Sequence, residues 1–163
     1  MYSQNREEEA ILTAVANIQE GMVLDIGSSD GVTFSNSRAL LERGWHGAVV
    51  EPDYEAFAKL VDLYQGNPKV RCFNLAVGTE AGVVEFCKTR DGGLASYVGD
   101  KSPWSEYVIR KYRVARITSS QLADSLQRGP DVITCDIEGQ SFEVVANLPI
   151  GSWDVRCLCI EHD

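Results

Sequence analysis

The sequence has little positive charge, few histidines and no long apolar run. Its 163 residues include 15 lysines and arginines against 24 acids, and the net charge is -9. This balance repels nucleic acid and anionic membrane, so we expect neither as a partner. No apolar run approaches the roughly 20 residues of a membrane span. The polar, acidic start YSQNREEEA is unlike a secretory signal, so we expect a soluble, cytoplasmic protein.

The cysteines do not form a metal-binding or disulfide pattern. Their number is odd, no C-x-x-C pair occurs, and each lies in a run typical of a strand: Cys72, Cys87, Cys135, Cys157 and Cys159. We interpret them as reduced, buried thiols, which suits a reducing compartment. The glycine-rich stretch MVLDIGSSDGVTF also lacks both Gly-Lys-Ser/Thr and a complete G-x-G-x-x-G, so it is not an ordinary phosphate-binding loop.

The chain alternates helical and strand patterns, and its length suits a single domain over residues 1–163, with an N-terminal helix within 1–20. Alternation of this kind predicts an α/β fold, a Rossmann-like, doubly wound and mostly parallel sheet with helices on both faces. Helices are predicted at REEEAILTAVANIQ, SNSRALLERG, YEAFAKLVDLYQG, SSQLADSLQRG and QSFEVVANL. Parallel strands are predicted at MVLDI, GAVVEPD, KVRCFNLAVG, DVITCDI and DVRCLCIEHD.

Three further segments complete the prediction. VVEFCKT alternates with period 2 and is expected to be an antiparallel strand, and YVIRKYRVARIT another strand. RDGGLASYVGDKSPW is expected to be an exposed loop. In the helix SSQLADSLQRG, Ser119 or Ser120 is the expected N-cap and Gly129 the expected end.

The loop after the first predicted strand is the first candidate site. Ligands bind beyond the carboxyl ends of strands in an open parallel sheet, at its switch point. Gly27 can turn with positive φ, and Gly31 would let a ligand approach the backbone. The spacing G-x-x-x-G is weak alone, because tight strand-to-helix turns share it.

Two acids strengthen the case. Asp25 ends an apolar strand, where a carboxylate needs a partner such as a ligand ammonium or backbone N–H groups. Glu51 ends the second strand and could hold both ribose hydroxyls, or be a solvated charge. Together these features specify a nucleoside whose other end carries a cation. S-adenosylmethionine fits that description. NAD, and with it an NAD-dependent oxidoreductase, fits less well because the middle glycine is absent.

VLDIGSSDG resembles motif I of the class I S-adenosylmethionine-dependent methyltransferases, and VVEPD resembles their ribose-binding acid. More narrowly, the chain resembles the FkbM-type methyltransferases through DIGSSDG, VVEPD, NLAVGTEAGVVEF, GGLASYV, ARITSSQLADSL, DVITCDIEGQSFEVV and CLCIEHD. The resemblance implies a methionine-end site and a nucleoside site. The first would comprise Asp25, Gly27, Ser28, Asp30 and Gly31. The second would comprise Glu51 and Pro52 at the ribose, and Asn74 to Val77, including Leu75 and Ala76, at the adenine.

Polar side chains at two later strand ends are the candidate catalytic group. Asp136 ends the fourth parallel strand, and Glu161 with His162 ends the last. If these strands are neighbours, the side chains converge beside the glycine loop, where Asp136 would also meet the cofactor. Glu138 precedes a helix and could act with them, although helix-dipole placement would also explain it. His162 could equally be a surface histidine.

This group predicts transfer of a methyl group to oxygen of a small or saccharide-like acceptor, with these residues orienting or deprotonating the hydroxyl. Asp136, Glu161, His162 and Asp163 form a set of oxygen and imidazole ligands that allows a divalent metal without favouring one. Asp91 to Tyr97, with Ser96, is a candidate lid.

The family's sheet has seven strands, whereas this chain stops after the fifth predicted parallel strand, so the closing antiparallel hairpin is missing. An uncovered last strand is an edge hazard. Three interpretations stay open: a second copy covers that edge as a homo-oligomer, the strands VVEFCKT and YVIRKYRVARIT close the sheet differently, or the chain is cut short. The last case favours an alternative function, a non-catalytic nucleoside-binding or scaffold module.

Overall fold

The computed structural model describes residues 1–90, 96–99 and 104–161. The helices are α1 (Glu7–Ala14), α2 (Arg38–Glu42), α3 (Tyr54–Tyr64), α4 (Ser119–Ser125) and α5 (Ser141–Ala146). The strands are β1 (Met22–Ile26), β2 (His46–Val50), β3 (Val70–Phe73), β4 (Ala76–Gly78), β5 (Gly82–Thr89), β6 (Tyr97–Val98), β7 (Val108–Thr118), β8 (Val132–Cys135) and β9 (Cys157–Ile160). Among these described helices, none is long and apolar enough to cross a membrane.

The central sheet has five parallel strands in the order β3-β2-β1-β8-β9. All five residues of β1 are buried, because the strand lies in the middle of the sheet and both its faces are covered. Met22, Leu24 and Ile26 pack on the side of α4 and α5, whereas Val23 packs on the side of α1, α2 and α3. The predicted doubly wound α/β fold is confirmed.

The order of the strands places the switch point between β1 and β8. The chain moves from β1 to β2 and β3 on one side, and later to β8 and β9 on the other. The loops that follow β1 and β8 therefore diverge and leave a crevice at the carboxyl edge of the sheet.

The predicted third strand, KVRCFNLAVG, is wrong as a single element. β3 pairs with β2, whereas β4 pairs with β7 in a second, four-stranded sheet. The chain changes sheets at Asn74, whose side-chain amide donates to the carbonyls of Glu51 (2.8 Å) and Pro52 (3.2 Å). These bonds hold the chain to the end of β2 and take it out of the parallel register.

The second sheet has the order β4-β7-β5-β6, with β5 antiparallel to both β7 and β6. The predictions of an antiparallel VVEFCKT strand and a YVIRKYRVARIT strand are confirmed. The predicted exposed loop is wrong at Tyr97 and Val98, which form the short strand β6 against Phe86 and Cys87. Residues 91–95 and 100–103 of that loop lie outside the described part.

Several helix ends differ from prediction. The N-cap of α4 is Thr118, whose hydroxyl accepts from the N–H of Gln121 while the Gln121 side chain accepts from the N–H of Thr118. This reciprocal capping box replaces the expected serine caps, and α4 ends before Gly129 because Leu126 is already extended. The predicted N-terminal helix within 1–20 is shorter than its pattern, and α1 covers only Glu7–Ala14.

Candidate functional site

The glycine loop after β1 is fixed to β2 by its backbone. The N–H groups of Gly27 and Ser28 both donate to the carbonyl of Val50, at 2.9 and 3.0 Å. Gly27 has φ +89°, and a Cβ there would lie 1.8 Å from the carbonyl oxygen of Asp136. Only glycine therefore allows the loops after β1 and β8 to meet so closely.

Gly31 has a different role from the one expected. Its φ is +72°, and a Cβ there would meet the Leu60 side chain of α3 at 2.7 Å. The glycine thus allows the loop to pack on α3. Asp30 is bonded within the loop, accepting from the N–H groups of Val32 and Thr33 at 2.9 and 2.8 Å.

Asp25 is buried, and its partners are hydroxyl groups instead of the ammonium or backbone N–H groups that were expected. Oδ2 accepts from Ser37 at 2.5 Å, and Oδ1 accepts from Thr134 at 2.6 Å. Thr134 lies opposite Asp25 in the β1–β8 register. Burial raises the pKa of the Asp25 carboxyl, because these bonds only partly offset the loss of water. Ser28 stabilises the same turn by donating to the Asp25 carbonyl at 2.9 Å.

Glu51 is a buried carboxylate directly after β2. Its Oε2 accepts from the N–H of Ser29 at 2.8 Å and its Oε1 from the N–H of Asp53 at 2.7 Å. Burial raises the pKa of Glu51 to about 7, and the charges of Asp53 and Asp25 act in the same direction. Each oxygen still has a lone pair with which it can accept a further hydrogen bond.

Two cavities meet at the carboxyl edge of the sheet, and both are lined by Gly27, Ser29, Asp136 and Glu138. We call them the apolar cavity and the polar cavity. The apolar cavity is further lined by Ile26, Val50, Glu51, Pro52, Leu75, Ala76, Val77, Phe86, Ser96, Tyr97, Val98, Ile137 and Gln140. The polar cavity is further lined by Gln4, Asp25, Ser28, Thr33, Phe34, Ser35, Asn36, Trp104 and Thr134.

Most of the predicted cofactor residues line one of these cavities. Asp30 and Gly31 are absent from both linings, because they lie on the far side of the loop. Ser96 of the candidate lid lines the apolar cavity. The rest of that lid, 91–95, falls outside the described residues.

Three of the predicted catalytic acids come together beyond β8 and β9. Oxygens of Asp136, Glu138 and Glu161 lie within 4.8 Å of one another, so the set is close enough to share a cation. Glu161 accepts from the N–H of Glu138 at 2.8 Å and from the Ser141 hydroxyl at 3.0 Å, which fixes the turn that carries Glu138. His162, and Asp163 beyond it, lie outside the described residues.

Glu138 is held in a strained and electrostatically unusual position. Its φ is +56°, which is uncommon for a residue with a side chain. Its carboxylate accepts from the indole N–H of Trp104 at 2.8 Å. Burial, followed by the charge of Glu161, raises the pKa of Glu138 to about 7. The group therefore takes up a proton at a higher pH than an ordinary carboxylate does.

Sequence reasoning missed four residues of this region: Ser37, Thr134, Trp104 and Asn36. A hydroxyl inside the buried run DVITCDI was a readable signal for Thr134, because a polar group in a central strand needs a partner. Ser37 and Asn36 are ordinary loop residues in sequence. Trp104 lies in a segment whose composition predicts only an exposed loop.

Fold and site together define a Rossmann-like α/β domain with a two-part ligand site at the switch point of its sheet. A family model described as "Methyltransferase FkbM domain" matches residues 25–162, and the chain belongs to this family. The predicted resemblance is thereby confirmed. A search of curated proteins finds no match.

Solved structures to which this chain is similar include three of low identity. One is a conserved hypothetical protein of Streptococcus pyogenes (13% identity, TM-score 0.38, covering 78% of this chain and 54% of that chain). Another is a fibrillarin/Nop5p complex (14%, TM-score 0.45, covering 86% and 52%). The third is the C-terminal domain of precorrin-6Y C5,15-methyltransferase from Rhodobacter capsulatus (14%, TM-score 0.43, covering 89% and 58%). The chain thus spans about half the length of these proteins.

Proposed function

We propose that this chain is an S-adenosylmethionine-dependent methyltransferase that acts on a hydroxyl oxygen of a small or saccharide-like acceptor. The observation that carries the proposal is the pair of cavities joined at Gly27, Ser29, Asp136 and Glu138. One cavity suits a nucleoside, and the other suits a cationic amino-acid end together with an acceptor.

The apolar cavity fits the nucleoside part of the cofactor. Glu51 faces it with two carboxylate oxygens that are already oriented by backbone N–H groups, and a ribose diol is a natural donor to both. Leu75, Val77 and Phe86 supply apolar surface for a flat base. When bound, S-adenosylmethionine supplies an electrophilic methyl group on a sulfonium.

The charge of the polar cavity favours a cationic over an anionic ligand. Asp25, Asp136 and Glu138 all line it. Carboxylates at this density would repel a pyrophosphate, which argues against NAD and in favour of a sulfonium and an ammonium.

Glu138 is the strongest candidate for the group that deprotonates the acceptor. A base is most effective when its pKa lies near the working pH, and the pKa of Glu138 is about 7. Asp136 lines both cavities and can orient the hydroxyl. Glu161 bonds to the backbone of the Glu138 turn, so we assign it a positioning role. The catalytic role of His162 stays a prediction.

Two further predictions also stay open. The predicted metal set included His162 and Asp163, which lie outside the described residues, while Asp136 and Glu161 lie together with Glu138. These three acids allow a divalent ion without favouring one. Leu158 lies on β9 and is 45% exposed, and Phe142 lies near that strand and is 77% exposed. We propose that a second copy of the chain covers this edge of the sheet. Light scattering at several protein concentrations measures that association.

The proposed function is tested in two stages. Mass spectrometry of the ligand that co-purifies, followed by calorimetry with S-adenosylhomocysteine, tests the cofactor. Transfer of radiolabelled methyl to a panel of hydroxylated small molecules and saccharides, with and without a chelator, then tests catalysis and metal. Cofactor binding without transfer to any acceptor would favour the non-catalytic module. Binding of NADH in place of S-adenosylhomocysteine would favour the oxidoreductase.

A further inference from the structure

One polar side chain of the polar cavity has a buried atom without a hydrogen-bond partner. This is Asn36, whose Oδ1 is buried and accepts no bond from the described residues. Asn36 lines the cavity beside Asp25, Gly27 and Ser28. A buried acceptor without a donor is unfavourable, and such groups in native proteins commonly mark the place of a ligand or an ordered water.

The neighbouring polar groups are already committed to the protein. Asp25 accepts from two hydroxyls, those of Ser37 and Thr134. Ser35 accepts from the N–H of Arg38 at 3.2 Å. Asp30 accepts from two backbone N–H groups in its own loop. Among the described residues of this cavity, Asn36 thus has a buried polar atom that no protein group satisfies.

The amide of Asn36 determines which kind of ligand group can form a hydrogen bond with it. Rotation of the terminal amide presents either the carbonyl oxygen or the NH₂ group to the cavity. An α-amino acid offers a donor and an acceptor side by side, as its ammonium and its carboxylate. The carboxylates of Asp25, Asp136 and Glu138 line the same cavity and favour the positive member of that pair.

We propose that Asn36 binds the amino-acid end of the cofactor, with its Oδ1 accepting a hydrogen bond from the α-ammonium. This inference rests on the proposed function and assigns a residue that the glycine-loop pattern does not include. It gives Asp25 a different task, which is to shape the loop through Ser37 and Thr134 instead of contacting the ammonium.

The experiment compares two ligands that differ at this end only. S-adenosylhomocysteine carries the amino acid, whereas 5′-methylthioadenosine has only a methyl group there. Calorimetry measures both on wild type, on Asn36→Ala and on Gln65→Ala, an exposed amide at the end of α3 that lines neither cavity. Loss of a bond to a charged group predicts that Asn36→Ala weakens S-adenosylhomocysteine about 10-fold or more, with methylthioadenosine changed less than about 2-fold. We expect Gln65→Ala to change neither affinity.

Two further measurements separate recognition from structure. The Oδ1 of Asn36 accepts no hydrogen bond from the described residues, so the ligand-free melting temperature of Asn36→Ala should equal or exceed that of wild type. Asn36→Asp keeps an acceptor and should retain more affinity for S-adenosylhomocysteine than Asn36→Ala does. Equal weakening of both ligands, an unchanged affinity for S-adenosylhomocysteine, or a larger loss in Asn36→Asp would overturn the inference. Wild type that binds neither ligand would instead contradict the proposed function.

Discussion

Glu51 lines the apolar cavity and Glu138 lines both cavities, and burial raises the pKa of each to about 7. Their surroundings differ. Glu51 is 6% exposed and is held by two backbone N–H groups on a loop tied to the end of β2. Glu138 is half-buried, has a positive φ and is held by one indole N–H beside two other carboxylates.

The difference indicates two uses for a perturbed carboxyl group. Backbone donors on both oxygens fix the geometry of Glu51, which suits recognition of a diol. Glu138 has like charges beside it and a side-chain donor that can move, so its protonation can change when an acceptor binds. Under the proposed function, Glu51 therefore serves to position the cofactor and Glu138 to transfer a proton.

Gly27 joins these two halves, and its replacement should have the largest effect. In Gly27→Ala the new methyl group would overlap the backbone of Asp136 at 1.8 Å, in addition to the strain of φ +89°. We expect a loss of about 3 kcal/mol or more in the free energy of unfolding, measured by urea denaturation. The matched control is Gly44→Ala, which has φ +85° and open space around it, with an expected loss of about 1 kcal/mol. Equal losses would show that the contact between the loops is unimportant.

The next effect concerns the cofactor side alone. Glu51→Ala removes an acceptor for two hydroxyls, so the affinity for S-adenosylhomocysteine should fall by about 10²- to 10³-fold in calorimetry. Glu138→Gln should leave that affinity within about 3-fold, because the proposed role of Glu138 is at the acceptor. Circular dichroism checks that both variants are folded. A similar loss in the two variants would remove the distinction between the two carboxyl groups.

Ligand-free protein should lose stability as the pH rises. The native pKa of Glu51 is about 7 against an ordinary 4.5, so its favourable contribution is complete below pH 4.5 and is lost as the pH rises through 7. A shift of this size corresponds to about 3 kcal/mol between pH 5 and 8, measured by urea denaturation at each pH. Glu138→Gln should reduce the decline by a smaller amount, because half-burial screens that group. A stability that rises over this range would contradict the burial of Glu51.

The smallest effect is on the proton affinity of Glu138. The indole N–H of Trp104 stabilises the charged carboxylate, so Trp104→Phe should raise the pKa of Glu138 by roughly half a unit. Carbon-13 NMR of labelled glutamate, assigned with Glu138→Gln, measures the titration. Trp153→Phe is the control, because Trp153 packs near Gly129 and the hydrophobic core. An equal shift in the pKa of Glu138 in Trp153→Phe would show that the effect comes from a general loss of packing and not from the lost indole N–H.

The strands that carry the site could be read from local pattern. β1 and β2 are short apolar runs followed by an acid and by turn residues, and this pattern depends on adjacent residues only. For the same reason Glu51 could be placed at a strand end before its partners were known. The alternation of strands and helices then required a parallel sheet.

Contacts between distant segments were outside the reach of such patterns. The separation of β3 from β4 at Asn74 depends on hydrogen bonds to the carbonyls of Glu51 and Pro52. The composition of KVRCFNLAVG is typical of one uninterrupted strand, so this separation could not be predicted from it. Trp104 reaches Glu138 across the chain. The glycine pattern also gave no sign that Gly31 packs closely on Leu60 of α3.

The most direct test of the account is a paired calorimetric titration of the wild-type chain near neutral pH with S-adenosylhomocysteine and with NADH. The two-cavity site with its buried Glu51 and acidic polar half predicts saturable 1:1 binding of S-adenosylhomocysteine and no measurable binding of NADH. Binding of NADH alone, or no binding of S-adenosylhomocysteine, would contradict it.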